Sequence, residues 1–432
     1  MRPSIAVDAG WRAHAPNDVP PIPPGAAGPP CREPWRWLGP RRRDGGGGTV
    51  SRTEGSAAAG RDGPVAFAHI GDLHLTDAKQ RNFTDFLAIV AQIEIQCAAA
   101  IDFVVLPGDN ADNGLPGQYA LAATALKMLS VPVHVIPGDH DMEQGGLANF
   151  YAVLKAEPLP RAVTVRGARC LFLDISGPGS GGPDFRLGQD QAAWLEAELA
   201  AARRADAPAL VFTHTYPEDL QGEGEGAAMT RLLADHDVAL VDMGHTHYNE
   251  LANDGRTIFA ATRSTGQIEE GPVGYSIATL DGGVVSWRFK ALDDAFPFVV
   301  VTAPADHRLM RGQDQRVSGR CTVRALVFGA CALARVACRS EDGAWVAMAL
   351  GDDGRAWSAE IDVPGDRLVT IEVEAVDVQG RPGLHAVRAA GPGYAPPARV
   401  GRGSDADAVG SWPENGIFGT QLGPNRNGAS SS

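Results

Sequence analysis

The stretch VAFAHIGDLH, Val65–His74, sets an apolar strand directly against a turn that carries an acid and an imidazole. Val65–Ile70 reads as the strand, and Gly71-Asp72-Leu73-His74 is what leaves it. The same arrangement recurs along the chain. Gly108-Asp109-Asn110 follows the apolar run Asp102–Leu106, and Gly138-Asp139-His140-Asp141 follows Val133–Ile136. His214 follows Ala209–Phe212, and Gly244-His245-Thr246-His247 follows Val238–Val241. Between these strands the spacing predicts helices. Phe83, Phe86, Leu87, Val90 and Ile93 mark one within Asn82–Ala99, and Gln118–Leu129, Gln189–Arg203 and Ala227–Ala234 read as others. A hairpin is expected across Val163–Val165 and Cys170–Ile175, and strand-like segments from Thr257 through Phe289 complete a second sheet. Strands separated by helices imply a layered α/β core. Ligands in such sheets collect beyond the carboxyl ends of the strands, so the five segments are expected to converge there. Glycine ahead of the acid permits the sharp turn.

Three carboxylates (Asp72, Asp109, Asp139) and four imidazoles (His74, His214, His245, His247) suit a pair of transition ions. Imidazole favours Zn and Fe, and carboxylate suits Mn. Two ions about 3.5–4 Å apart can share a carboxylate and a hydroxide and hold both sides of a phosphoryl displacement. No serine or cysteine nucleophile is then required. A single Gly-Asp turn means little; the ordered set is specific.

In order and spacing, the five segments resemble the signature of the calcineurin-like metallophosphoesterase superfamily: DxH, GDxx, GNH[DE], H and GHxH. The resemblance covers roughly Val65 to Phe289, and extends to the class III cyclic-nucleotide phosphodiesterase group and its bacterial relatives. It implies a four-layer α/β/β/α sandwich and hydrolysis of a small, soluble, nucleotide-like phosphodiester or phosphomonoester by a metal-bridging hydroxide. The implied cofactor is two divalent or mixed-valence ions of Mn, Fe or Zn. Asp72, His74 and His247 would hold the first ion, Asp139, His214 and His245 the second, and Asp109 would bridge them. His140 would contact the phosphate and act as general acid, and Asp112 would orient that imidazole.

Two positions depart from the pattern. Asp139 stands where the family usually has asparagine, which adds a negative charge to the ligand set. That predicts weaker phosphate attraction, or a preference for a more highly charged ion such as Fe(III). Asn113 stands where protein phosphatases of the superfamily carry a phosphate-gripping arginine, which favours a phosphodiesterase over a protein phosphatase. Arg263, close after the last ligands, is left open between substrate-binding and a structural cap.

Length and texture divide the 432 residues. Residues 1–62 are Pro-, Gly- and Arg-rich, with RRRDGGGG at Arg41–Gly48, and read as a disordered segment; Val50 and Val65 are candidate alternative starts. Residues 63–294 form the expected phosphoesterase domain. Residues 295–390 carry short strand candidates without helices (Phe298–Thr302, Arg320–Phe328, Ala332–Arg339, Trp345–Leu350, Ala356–Ile361 and Leu368–Asp377), which suggest an immunoglobulin- or fibronectin-like β-sandwich. Residues 391–432 read as a mobile tail.

The formal charge of −14 argues against nucleic acid and anionic membranes as partners, and makes a nuclease the weaker option. No apolar run is long enough to span a bilayer, and no secretory leader is recognisable, so the cytoplasm is the expected compartment. Basic charge that is nearly all arginine, with abundant Ala and Gly, suggests a GC-rich bacterial genome. Six scattered cysteines offer neither a close metal-ligand pair nor a disulfide framework. His69, His134, His236, His307 and His385 are read as structural, and Trp194, Trp287 and Trp345 as core. A second reading makes the protein a weakly active, metal-bound scaffold whose sandwich serves a protein partner or self-association.

Overall fold

A computed structural model describes residues 63–177, 184–396 and 407–419. The expectation for residues 1–62 lies outside them.

Alternation along the first strand decides the layering. In β1 (Val65–His69), Val65 and Phe67 point to one side, while Ala66 and Ala68 point to the other with Ile70 beyond the strand end. The second face is covered by helix α1 (Arg81–Gln92) through Phe83, Phe86, Ile89 and Val90. The chain continues through β2 (Phe103–Leu106), α2 (Pro116–Leu126), β3 (Val133–Val135), α3 (Ala148–Leu154), β4 (Arg161–Val165) and β5 (Ala168–Phe172). Then come α4 (Gln189–Arg204), β6 (Ala209–Phe212), α5 (Glu225–Asp235), β7 (Val238–Met243), β8 (Glu250–Asn253), β9 (Ile258–Ala261), β10 (Gly274–Asp281) and β11 (Val284–Ala291).

One sheet has the order β11-β10-β1-β2-β3 and the other β4-β5-β6-β7-β9-β8. β1, β2 and β3 run parallel, as do β5, β6, β7 and β9. The sheets face each other across a core of Phe67, Phe103, Phe172, Phe212, Leu240 and Trp287. Phe67 stacks on Phe103 at 5.0 Å and meets Phe212 edge-on at 5.2 Å. Helices α4 and α5 cover the outer face of the second sheet through Leu195, Leu199, Met229 and Leu233. These are the four layers of a metallophosphoesterase α/β fold.

The C-terminal region is all β. Strands β12 (Phe298–Ala303), β13 (Gly319–Phe328), β14 (Leu333–Ser340), β15 (Val346–Ala347), β16 (Ala349–Leu350), β17 (Ala356–Val363), β18 (Leu368–Asp377) and β19 (Pro382–Ala390) form two four-stranded sheets, β12-β13-β17-β16 and β15-β14-β18-β19. Val299, Val323, Val336, Ile361, Ile371 and Val373 fill the space between them.

Several expectations need correction. Trp345–Leu350 is not one strand: β15 pairs with β14 in one sheet and β16 with β17 in the other, so the chain crosses between sheets at Met348. Trp345 is half-buried beneath Arg339 rather than in the core. α1 continues into a π turn over Ile93–Cys97, and α3, β8 and β19 had no counterpart in the sequence reading. Within the region expected to be a mobile tail, residues 407–419 are packed, with Trp412 and Ile417 buried. Cys97, Cys170, Cys321 and Cys338 are buried free thiols. Among the described residues no helix is long and apolar enough to cross a membrane.

Candidate metal centre

All five strand-end segments open at one end of the two facing sheets. Asp72 and His74 leave β1, Asp109 leaves β2, and Asp139 and His140 follow β3. His214 leaves β6, and His245 and His247 leave β7. Their donor atoms fall into two clusters, Asp72, His74, Asp109 and His247, and Asp109, Asp139, His214 and His245. Within each cluster the atoms lie within 4.8 Å of one another, and Asp109 belongs to both. In the first, His74 Nε2 is 3.0 Å from His247 Nε2 and 3.6 Å from Asp109 Oδ2, and His247 Nε2 is 3.6 Å from Asp72 Oδ2. In the second, His214 Nε2 is 3.5 Å from Asp109 Oδ2 and 3.2 Å from Asp139 Oδ1, and His245 Nδ1 is 3.4 Å from Asp139 Oδ1.

The backbone is held in unusual states to achieve this. His74, Asp109, His245 and His247 have φ of 41°, 50°, 66° and 63°. Left-handed conformations are uncommon outside glycine and tend to mark functional positions. The glycines serve mainly by being small. A Cβ on Gly138 would sit 2.2 Å from Asp109 Oδ1 and 2.6 Å from His214 Cε1. Gly108 combines φ of 125° with a ring it could not clear, since its Cβ would lie 2.1 Å from His214 Nδ1.

A surrounding layer orients the donors. His214 Nδ1 donates to the Pro107 carbonyl at 2.8 Å, which leaves Nε2 facing the two carboxylates. Asp141, fully buried, accepts from the Gly138, Asn110 and Ala111 N–H groups and from the Asn110 amide, tying two ligand loops together. Sequence reasoning gave Asp141 and Asn110 no role, although both stand inside the quoted motifs. His140 donates its backbone N–H to Asp109 Oδ1 at 3.0 Å. Its Nδ1 donates to the Asp112 carbonyl at 2.7 Å and lies 3.4 Å from Glu143 Oε1. The expected pairing of the Asp112 carboxylate with His140 is therefore replaced by a backbone contact. That carboxylate lies instead 3.6 Å from His74 Nδ1.

Burial opposes ionisation of Asp109, yet the adjacent His214 imidazole outweighs it and holds the carboxyl at about 2. Asp139, also disfavoured by burial, is brought well below the usual range by contacts with His214 and His245. Burial lowers His74, and it brings His247 down to about 4, keeping both rings neutral as ligation requires. Asp72 Oδ2 accepts the His245 N–H at 2.6 Å, while Asp72 Oδ1, also buried, has no hydrogen-bond partner. Burial opposes protonation of His214, yet Asp109 and Asp139 outweigh it and raise this ring well above the ordinary imidazole range, so an ion bound there would displace a proton. An ionised shared carboxylate, two neutral imidazoles and an orphaned buried oxygen fit a pair of transition ions.

The clusters floor a cavity of about 230 Å³ lined by Asp109, Asp139, His140, His245, Thr246, His247, Gln267 and Glu269. Arg263 is not among them, which corrects the substrate-binding option. Its side chain is fully buried, lies between Phe289 and Phe418, and donates to the Gly416, Glu270 and Pro272 carbonyls. His69 is buried against Asp242 at 2.7 Å, and His134 against Arg161. Neither joins a donor cluster.

Layered sheets with two donor clusters sharing one carboxylate define the metallophosphoesterase class. Residues 65–249 match the family model described as Calcineurin-like phosphoesterase. It is 29% identical over 164 residues to a Fibrobacter succinogenes protein named "Probable cyclic nucleotide phosphodiesterase", covering 36% of this chain and 56% of that one. It is 32% identical over 163 residues to the glycerophosphodiester phosphodiesterase GpdQ of Enterobacter lignolyticus, covering 35% and 57%. The chain thus spans little more than half the length of these relatives. A dimetal phosphatase structure from Danio rerio aligns with TM-score 0.40 and 16% identity over 53% of this chain and 97% of that one.

Proposed function

We propose that the protein is a metal-dependent phosphoesterase whose substrate is a small phosphodiester. The observation that carries this reading is the sharing of Asp109 by two four-donor clusters at the floor of one cavity. Asp72, His74, Asp109 and His247 would hold one ion, and Asp109, Asp139, His214 and His245 the other. A bound pair of such ions supplies Lewis acidity and a hydroxide nucleophile near neutral pH. The protein's own groups do the rest. Asp109 fixes the spacing of the two clusters and, by accepting the His140 N–H, fixes the imidazole beside them. With Nδ1–H committed to the Asp112 carbonyl, His140 has Nε2 left to deliver a proton to the departing alkoxide. Among the described residues lining the cavity there is no Lys or Arg, which suits a singly charged diester better than a doubly charged monoester. The names of the two relatives, one a cyclic nucleotide and one a glycerophosphodiester phosphodiesterase, point to the same substrate class.

The test is hydrolysis of bis-p-nitrophenyl phosphate with Mn or Zn added. Asp109→Ala and His245→Ala are expected to lose about a hundredfold or more in kcat/KM. His140→Ala is expected to lose about a hundredfold on an alkyl ester and much less on a p-nitrophenyl ester, whose leaving group needs little protonation. A wild-type protein inactive on model diesters with every metal tried would overturn the reading.

A further inference from the structure

Arg263 and Asn249 do not line the cavity, yet both are tied to the metal-centre loops, and both are held by Gly416. After the sandwich, the polypeptide returns to the α/β core. Ala408 bridges Ala252, and the Val409 N–H donates to the Leu251 carbonyl at 2.8 Å. Trp412, Asn415 and Ile417 are then buried. The Gly416 carbonyl accepts from Arg263 Nη2 at 2.7 Å and from Asn249 Nδ2 at 2.8 Å. Asn249 Oδ1 in turn accepts the Arg263 backbone N–H at 2.8 Å.

The next residues pass these restraints to ligands. The Ser264 hydroxyl donates to the Asp72 carbonyl at 2.8 Å, the Thr265 and Gly266 N–H groups donate to the same oxygen, and the Ser264 N–H donates to the His247 carbonyl at 3.3 Å. Asp72 and His247 belong to the same donor cluster. The hydrogen bonds that leave residues 264–266 for the ligand loops go to Gly71, Asp72 and His247, on that side of the centre. A fully buried guanidinium bonded to three carbonyls, with the buried Glu270 carboxylate 3.6 Å away, is a poor way to fill a core, because apolar side chains would pack there without the cost of burying charge. Its value lies in fixing the relative position of three segments.

We propose that the C-terminal segment Trp412–Phe418, acting through Asn249 and Arg263, sets the geometry of the Asp72–His74–His247 cluster directly, and reaches the Asp139–His214–His245 cluster only through the single hydrogen bond from the His245 N–H to Asp72. Asn249 and Arg263 are positioning residues, and the first metal position is held in shape by residues 412–418. This inference rests on the dinuclear reading of the centre.

The experiment is calorimetric titration of the metal-stripped full chain with Mn(II), alongside thermal melting of the same metal-free samples. His74→Ala and His214→Ala identify which binding step belongs to which cluster. Asn249→Ala removes the link between the Arg263 backbone and Gly416. Phe418→Ala, at a ring that is 40% exposed and rests on the Arg263 guanidinium, loosens the clamp from the opposite end with little effect on the core. Both variants are expected to weaken the His74-dependent step about tenfold while the His214-dependent step stays within about twofold. A mere loss of stability would lower the melting temperature and weaken both steps alike, or neither, and either result overturns the proposal. Should Asn249→Ala not fold, Phe418→Ala decides alone. If the wild type takes up no ion, the dinuclear reading falls and this inference with it. If the wild type takes two and the variants match it, only the clamp is refuted.

Discussion

Four donor residues in left-handed backbone and two glycines pressed against ligand side chains show how little room the centre leaves for substitution. At Gly138 the limiting contact is Asp109, the shared ligand, which cannot retreat without leaving both clusters. Gly138→Ala is therefore expected to lower metal uptake and activity by about a hundredfold or more while the metal-free protein still folds. Metal content of the purified variant, with its circular dichroism, checks this. Asp139 presents a different question. As a carboxylate it adds one negative charge beside His214 and His245. Asp139→Asn is expected to lower KM for an anionic diester several-fold and to reduce any bound Fe(III). An unchanged KM together with unchanged metal content would count against that account.

At the scale of elements, the turn before β2 does more than start a strand. Asp102 accepts the Ala66 N–H at 2.9 Å, Arg166 Nε at 2.7 Å and Arg355 Nη1 at 2.8 Å, joining β1, the β4–β5 turn and the loop before β17. The π turn after α1 makes a second junction, where the Gln96 carbonyl and side-chain oxygens accept the Gly329 and Ala330 N–H groups. Asp102→Ala would strand two arginines and a strand-end N–H in a largely buried place, so a loss of about 2 kcal/mol or more is expected. The checking measurement is the urea midpoint, with activity per folded molecule unchanged because Asp102 lies at the opposite end of β2 from Asp109.

Across the whole molecule, one apolar cluster joins the α/β layers to the sandwich. Phe298, Val300, Leu326 and Phe328 pack in the same cluster as Phe86, Val90 and Tyr275. His385 of β19 lies where the sandwich meets the returning chain. Its Nδ1 accepts the Val301 N–H at 2.9 Å, and its Nε2 is 3.2 Å from Asn415 Oδ1. Burial first, and the nearby Arg288 charge second, hold this imidazole well below its ordinary range, so it stays neutral in the fold. The unfolded chain takes up a proton at this residue below about pH 6.5 and the folded chain does not. Stability is thus full above that pH and declines as pH falls beneath it, by on the order of 1 kcal/mol per unit. Chemical denaturation between pH 5 and 7 is expected to show this slope in the wild type and a shallower one in His385→Gln; equal slopes would exclude His385 as the source.

Much of the centre was legible in the one-dimensional order of residues. An apolar run ending in Gly-Asp or in a histidine pair is a local pattern, and strand ends in parallel sheets converge by geometry, so Asp72, Asp109 and His245 could be brought together on paper. What depends on contacts between distant segments was not legible. The Asp112 carbonyl in place of its carboxylate, Asp141 joining two loops, and Arg263 clamped by Gly416 each involve partners set by packing. The same holds for β19, which begins with Pro-Gly and is otherwise rich in alanine; it is a strand because β18 offers it a ladder. Ligand identity was written in residue type and local spacing, whereas the aim of each ligand and the route by which the chain's end reaches it were decided only when remote backbones met.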